Sequence, residues 1–233
     1  MIVAMLPSQT VENYLKTIYL AQANMTSDHE LVPMGQLASA LGVVPGTATT
    51  MVKALAESGL VHYEPYMGVR LTATGERLAS LVSRRHRLIE LFLVKVLGMS
   101  WAEVHDEAER LEHAVSERLI DRIDEMLGRP EVDPHGDPIP SPEGRIPRTE
   151  DFDLLTAPVQ TSLQVSRVVD QDPVFLRFVE QQELVPGRNV TIESRDEASD
   201  AVRLTLDTGR PITIGSRAAA KVLVRTPSKS SRR

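Results

Sequence analysis

Apolar residues recur at helical spacing at Val11, Leu15 and Ile18, just after Ser8 and Thr10, either of which can cap a helix start. The pattern predicts a first helix over residues 8–23, ended by the polar stretch 24–30. Two shorter helical patterns follow, Met34 to Leu41 and Pro45 to Ser58, joined by Gly42-Val43-Val44. Pro45 suits a first helical turn, Gly59 suits the residue past a helix end, and Ala48, Val52 and Leu55 make the apolar face between them. Leu60 to Tyr63 and Val69 to Leu71 then read as two strands around the turn Glu64-Pro65-Tyr66-Met67-Gly68. A helix-turn-helix followed at once by a hairpin predicts a winged helix.

From Thr72 a long amphipathic pattern carries Leu78, Val82, Ile89, Phe92, Leu93 and Val96, and a second is predicted from about Ser100 to Leu127. Together they offer more apolar surface than one small domain covers, which points to a helical dimer interface. Residues 129–158 hold 7 of the 15 prolines. Proline removes backbone donors and disfavours helix in the residue before it, so this stretch is predicted as an extended, partly mobile linker. Beyond it, short strands punctuated by glycine, with one helix near Pro173 to Gln182, predict a small β-barrel.

The expected fold is mainly α with a small β part. It comprises a winged helix-turn-helix at 1–74, a helical dimerisation domain at 75–128, a linker at 129–158, an SH3-like barrel at 159–226 and a disordered tail at 227–233.

Charge changes the picture only when divided along the chain. The net charge is −6, but residues 1–100 hold 8 Lys and Arg against 7 Asp and Glu, while residues 101–233 hold 18 against 25. The first half can therefore face DNA, although its basic character is thin. No stretch reaches the roughly 20 apolar residues of a membrane helix, and the start lacks the pattern of a secretory signal, so a cytoplasmic protein without membrane contact is expected. With no cysteine, any metal must be held by oxygen and imidazole nitrogen.

Such donors are concentrated in one place. His105, Glu109, Glu112 and His113 fall within about a third of a helix circumference, beside the apolar stripe, and His86 and Glu90 are four apart on the preceding helix. If these helices pack, six donors converge, and their carboxylates repel unless a cation intervenes. Glu109 and His113 fit equally a plain ion pair on a solvated helix shoulder. A hydrolytic metal centre with an accessory helix-turn-helix, or a regulator indifferent to metal, also stays open. No nucleophile motif, phosphate loop or zincin motif accompanies the donors, and no catalytic residue is assigned. On the second helix of the helix-turn-helix, Thr47, Thr49, Thr50 and Lys53 face outward, with hydroxyls for phosphate or base edges and methyls for thymine. A hairpin used for protein contacts is the competing reading. The basic run Arg84, Arg85 and Arg87 fits a solvated face.

In this order the segments resemble the diphtheria toxin repressor family of metal-dependent regulators, including its manganese-sensing branch. The matching segments are Val11 to Tyr19, Ala56 to Val61, Leu71 to Gly75, Arg85 to Leu88, Val104 to Ala108, Glu112-His113 and Pro134 to Pro140. The resemblance implies a homodimer that binds double-stranded operator DNA, with Thr47, Thr49, Thr50 and Lys53 in a major groove and the wing near Arg70 along phosphates. It also implies one metal site at His86, Glu90 and His105 with Asp170 from the third domain, and another at Asn13, Glu109, Glu112 and His113. The iron-sensing members carry sulfur at the positions of Glu109 and Asn13. Oxygen there favours Mn²⁺, with Fe²⁺ as the alternative. Two departures stand out: Asn13 replaces an aspartate usual in the manganese branch, and Lys16 stands where some members place an acidic ligand.

Overall fold

The computed structural model describes residues 8–23, 25, 30–146 and 150–227, and most of the predicted C-terminal tail, 228–233, lies outside them. The described residues form two compact units, one within Met1–His86 and Pro140–Ile146, the other within Arg87–Ile139 and Pro147–Arg233. The division between these units falls inside a helix, between His86 and Arg87.

In the first unit α1 (Gln9–Ala23), α2 (Met34–Ala40) and α3 (Pro45–Glu57) precede β1 (Val61–Glu64) and β2 (Gly68–Leu71). The core joins Leu15 and Ile18 of α1 to Leu37, to Ala48, Val52 and Leu55 of α3, and to Val61, Val69 and Leu71. These are the apolar positions whose spacing predicted the elements. β1 and β2 pair antiparallel from Val61↔Leu71 to Glu64↔Gly68, and Val32 adds a bridge to Val69. This is the predicted winged helix. Tyr66, at φ 68° and fully exposed, and the exposed Met67 lie in the turn at the tip of the wing. Thr72 caps α4 (Ala73–Lys95) by accepting the Gly75 N–H at 3.1 Å. A Cβ on Gly75 would lie 2.0 Å from the Leu60 carbonyl oxygen, so only glycine fits this helix start.

The second unit holds the rest of α4, then α5 (Val104–Leu111), α6 (Glu117–Met126), β3 (Phe152–Asp153), β4 (Ser162–Val168), α7 (Pro173–Gln181), β5 (Asn189–Asp196), β6 (Ala201–Leu206), β7 (Pro211–Gly215), α8 (Ser216–Ala219) and β8 (Val222–Arg225). The single helix predicted from Ser100 to Leu127 is two. The Glu112 N–H closes α5 on the Ala108 carbonyl, and Ser116, in extended conformation, starts α6 by accepting the Leu119 N–H. A serine able to cap a new helix outweighs the continuity of the apolar stripe. Ile120 and Ile123 still reach the cluster formed by Leu88, Ile89, Val104 and Ala108, whereas Leu119 and Met126 are left exposed.

The strands form one six-stranded sheet in the order β3-β8-β4-β5-β6-β7, all antiparallel. Its apolar face, including Leu163, Val165, Ile192, Leu204, Ile214 and Val224, packs on Leu176 and Val179 of α7. The alternation along each strand is what predicted this SH3-like part.

The expected extended linker is a second correction. Asp133, His135, Gly136, Ile139 and Pro140 are buried, and Phe152 and Asp153 already pair with β8. The Asp133 carboxylate accepts the N–H groups of His135 and Asp137 at 2.8 and 2.9 Å, closing a turn that the prolines alone do not reveal. Among the described residues no helix is long and apolar enough to cross a membrane.

Candidate metal centre

Every residue of α4 from Val82 to Leu91 is buried. A helix covered on all sides has no solvated face, so each polar side chain must find a partner inside the protein. The arginines expected to be solvated do so. In the first unit Arg84 donates to the Pro140 carbonyl at 2.7 Å, and Arg85 donates to Glu12 Oε1 at 2.5 Å with both side chains 6% exposed. In the second, Arg87 donates to the Pro138 carbonyl.

His86 lies in the first unit, where the Lys16 ammonium donates to its Nδ1 at 3.1 Å. Asn13, on the same helix as Lys16, has a buried Oδ1 with no hydrogen-bond donor, the state expected of an oxygen awaiting a cation.

The second unit gathers most of the remaining predicted donors. Glu90 is fully buried, and its Oε1 stands 3.3 Å from His105 Nδ1. His105 Nε2 is 3.8 Å from Glu109 Oε1. Glu112, also fully buried, places Oε1 3.4 Å from His113 Nε2. Glu109, Glu112 and His113 each offer a ligand atom within 4.8 Å of the others. Two carboxylates and one imidazole at that separation suit a divalent ion, with oxygen and nitrogen donors and no sulfur. Glu112 closes α5 and keeps helical backbone angles, so these donors stay on one face although the helix ends at Leu111.

Asp170 is placed differently. Its carboxylate pairs with Lys221 and accepts the Asp172 N–H, and the Lys221 hydrogen bond holds its pKa below the usual carboxylate range. Among the described residues it joins none of the clusters of three or more His and carboxylate donors.

Reasoning from sequence singled out neither Asp133 nor His135. Both lie with Glu90 in a further buried cluster. Burial, with Asp137 and Glu90 nearby, pushes the Asp133 carboxyl well above the usual range, and Arg87 offsets this only in part. A turn has no periodicity to display; only His135 fell within a segment quoted for its resemblance, Pro134 to Pro140, and Asp133 lay just before it.

On α3 the buried face leaves Thr47, Thr50 and Lys53 exposed and Thr49 half-buried. The hydroxyls of Thr49 and Thr50 donate to the Pro45 and Gly46 carbonyls at 2.9 and 3.0 Å. Their hydroxyl protons are thus engaged, leaving oxygen lone pairs and methyl groups for a partner. Arg70 is half-buried on β2, opposite His62.

Comparison with known proteins gives three successive matches. Residues 7–69 match the iron dependent repressor N-terminal DNA binding domain, residues 72–141 the iron dependent repressor metal binding and dimerisation domain, and residues 152–226 the FeoA domain. The iron-dependent repressor IdeR of Mycobacterium tuberculosis is 31% identical over 198 residues, 79% of this chain and 84% of that protein. The diphtheria toxin repressor of Corynebacterium glutamicum is 36% identical over 132 residues, 56% of each chain. A solved structure described as a manganese-dependent transcriptional repressor in complex with manganese superposes with a TM-score of 0.86 at 40% identity, covering 93% of this chain and 100% of that one. These relatives are repressors and not enzymes, which removes the hydrolase reading. A DNA-binding domain, a metal-binding and dimerisation domain and an FeoA domain thus follow one another along the sequence, and the chain belongs to the diphtheria toxin repressor family of metal-dependent transcriptional repressors.

Proposed function

We propose that this repressor, loaded with Mn²⁺, binds operator DNA as a homodimer in the cytoplasm and so controls metal-ion homeostasis. The observation that carries the reading is the gathering of Glu109, Glu112 and His113 within 4.8 Å, with Glu112 fully buried. Glu90 and His105 form the second donor group, to which His86, one turn before Glu90 on α4, adds its imidazole. Asn13 is the further donor for the first group. When bound, the ion supplies the positive charge that lets these carboxylates stay together, and it thereby shifts a pre-existing equilibrium toward the conformer that binds DNA. Asp170 could join only by exchanging its Lys221 partner.

The donor set is all oxygen and nitrogen, which favours Mn²⁺ by ligand type. The manganese complex of the 40% identical repressor supports the same choice. Fe²⁺ is the second reading, favoured by the iron-dependent relative. The exposed Leu111, Leu119 and Met126 supply an apolar surface for a second copy. The five-segment division at 1–74, 75–128, 129–158, 159–226 and 227–233 remains the proposed functional partition. Within it Thr47, Thr49, Thr50 and Lys53 read a major groove, and Arg70 lies along phosphate.

A gel-shift titration on DNA from the protein's own promoter, with Mn²⁺, Fe²⁺ and Zn²⁺ at one fixed salt concentration, tests the proposal. Binding strengthened most by Mn²⁺ at matched free-ion levels is expected. Equal binding with ion and with chelator would overturn it.

A further inference from the structure

We propose that a cavity within the second unit, between the C-terminal end of α4 and the sheet, binds an apolar monocarboxylate, with Arg225 holding the carboxylate and Trp101 against the apolar body. The inference is independent of the metal reading above, because none of the groups that would hold the acid is a proposed ligand of an ion.

The cavity measures about 570 Å³, within the range of about 300 to 1,000 Å³ typical of small-molecule sites. Val94 of α4, Met99, Trp101, Val165 of β4 and Val185 make its apolar wall. Much of that wall is fixed before any ligand arrives. The Trp101 ring stacks on His135 with centroids 5.5 Å apart, and the Trp101 carbonyl lies 2.8 Å from His135 Nε2. The turn that carries His135 is pressed onto β4, since a Cβ on Gly136 would stand 2.0 Å from the Ser166 carbonyl oxygen. After α7, Gly187 donates its N–H to the Val165 carbonyl at 2.8 Å, and its own carbonyl accepts from Gln164 Nε2 at 3.1 Å. A wall held in this way loses little conformational freedom on binding.

The charges of the lining select the occupant. Asp133 has the Arg87 guanidinium 3.9 Å from its Oδ2. Lys95 and Glu180 are both exposed, carry opposite charges and are screened by water. The half-buried Arg225 is left over: among the described residues its guanidinium makes neither a hydrogen bond nor an ion pair. Two further groups are unspent. Trp101 and Ser166 are buried, and the indole N–H and the Ser166 hydroxyl have no hydrogen-bond partner among the described residues. A guanidinium, an indole N–H and a hydroxyl can all donate, so an occupant that satisfies them must accept. One cation beside an apolar wall matches a single negative charge, and the second charge of a phosphate would be buried without a partner. A carboxylate on an apolar body meets both conditions.

The test uses the one tryptophan of the chain, Trp101, whose fluorescence reports on this cavity alone. The full-length protein, with Mn²⁺ and again in chelator, is titrated with decanoate and with decanol, which keeps the chain length and lacks the charge. Decanoate is expected to change the emission saturably and to bind about tenfold more tightly than decanol in both conditions. Arg225→Gln is expected to abolish that preference while leaving the affinity for decanol as it was. No saturable change with decanoate overturns the site. Equal affinities for the two probes, or a preference that survives Arg225→Gln, overturn the assignment of the carboxylate. Binding of decanoate that vanishes in chelator would mean that the ion holds the acid, and this too overturns the proposal. Should circular dichroism show Arg225→Gln unfolded, the unaltered protein decides by NMR. The indole N–H proton must then show a nuclear Overhauser contact to the decanoate methylenes, and its absence at saturating decanoate overturns the site.

Discussion

The two units treat their buried charges in opposite ways. In the first, each acid or base considered meets a partner of complementary character: Arg85 meets Glu12, and the Lys16 ammonium meets the His86 lone pair. In the second, acceptors meet acceptors: Glu109 and Glu112 share a cluster with His113, and Glu90 and Asp133 share one with His135. A region that balances its own charge folds without help. Carboxylates and imidazoles gathered this closely suit a divalent cation, which is how a sensor can be built from ordinary side chains.

The contrast is broken most directly at Arg85. Arg85→Ala leaves Glu12 buried without its guanidinium, and losing one member of a buried pair costs about 3–5 kcal/mol. Chemical denaturation in chelator should show this loss, with an unchanged count of bound Mn²⁺ in the variant that remains folded. A loss below about 1 kcal/mol would mean that the first unit does not depend on its internal pairing. In the second unit the expected cost is smaller. Glu112→Ala removes a carboxylate that stands close to another, Glu109, so the stability of the metal-free protein should fall by less than in Arg85→Ala, while Mn²⁺-dependent operator binding falls by about 100-fold or more in gel shifts. Unchanged metal-stimulated affinity would end the sensing model.

Lys16 tests the boundary of the comparison, because it gives His86 a positive partner from within the chain. Removing an ammonium that donates to a proposed ligand nitrogen should free that nitrogen, and Lys16→Met is expected to tighten Mn²⁺ binding about tenfold by titration calorimetry. Weaker binding would show that Lys16 supports the site and does not compete with it. Thr50→Ala acts on DNA alone. With its hydroxyl proton engaged by Gly46, the outward methyl and lone pairs remain to be lost, and operator affinity should drop by about 3- to 10-fold with no change in metal affinity. An equal loss of both would place the interface elsewhere.

What could be read from sequence follows how each feature is encoded. The winged helix was legible because its apolar residues repeat with the period of each element and glycine or proline marks the ends. Glu112 and His113 were legible because helical spacing puts them beside Glu109, and that survives even though α5 stops at Leu111. The break before α6 was not, because a capping serine competes with an apolar stripe that runs on unchanged. The burial of Arg84, Arg85 and Arg87 was hidden because their partners, Pro140, Glu12 and Pro138, are distant in sequence. His135 was hidden for a related reason, since its environment is assembled from Trp101, Asp133, Ser166 and Glu90.

The smallest effect concerns Asp170, where the second unit does pair a carboxylate with an internal cation. The Lys221 hydrogen bond lowers the Asp170 pKa in the folded protein. The ionised form is therefore favoured by folding, and the stability this contributes is complete above the ordinary carboxylate range and is lost as pH falls through the lowered value. Both side chains are partly open to solvent, at 30% and 39% exposure, so screening keeps the effect below about 1 kcal/mol. Denaturation midpoints in chelator, compared at neutral and strongly acidic pH, should show that Asp170→Asn loses this small acid dependence. If Asp170 instead behaves like the unbalanced carboxylates, the same substitution will leave the metal-free protein as stable as before and reduce the Mn²⁺ count, and the division between paired and ion-awaiting acids would have to be redrawn through the FeoA domain.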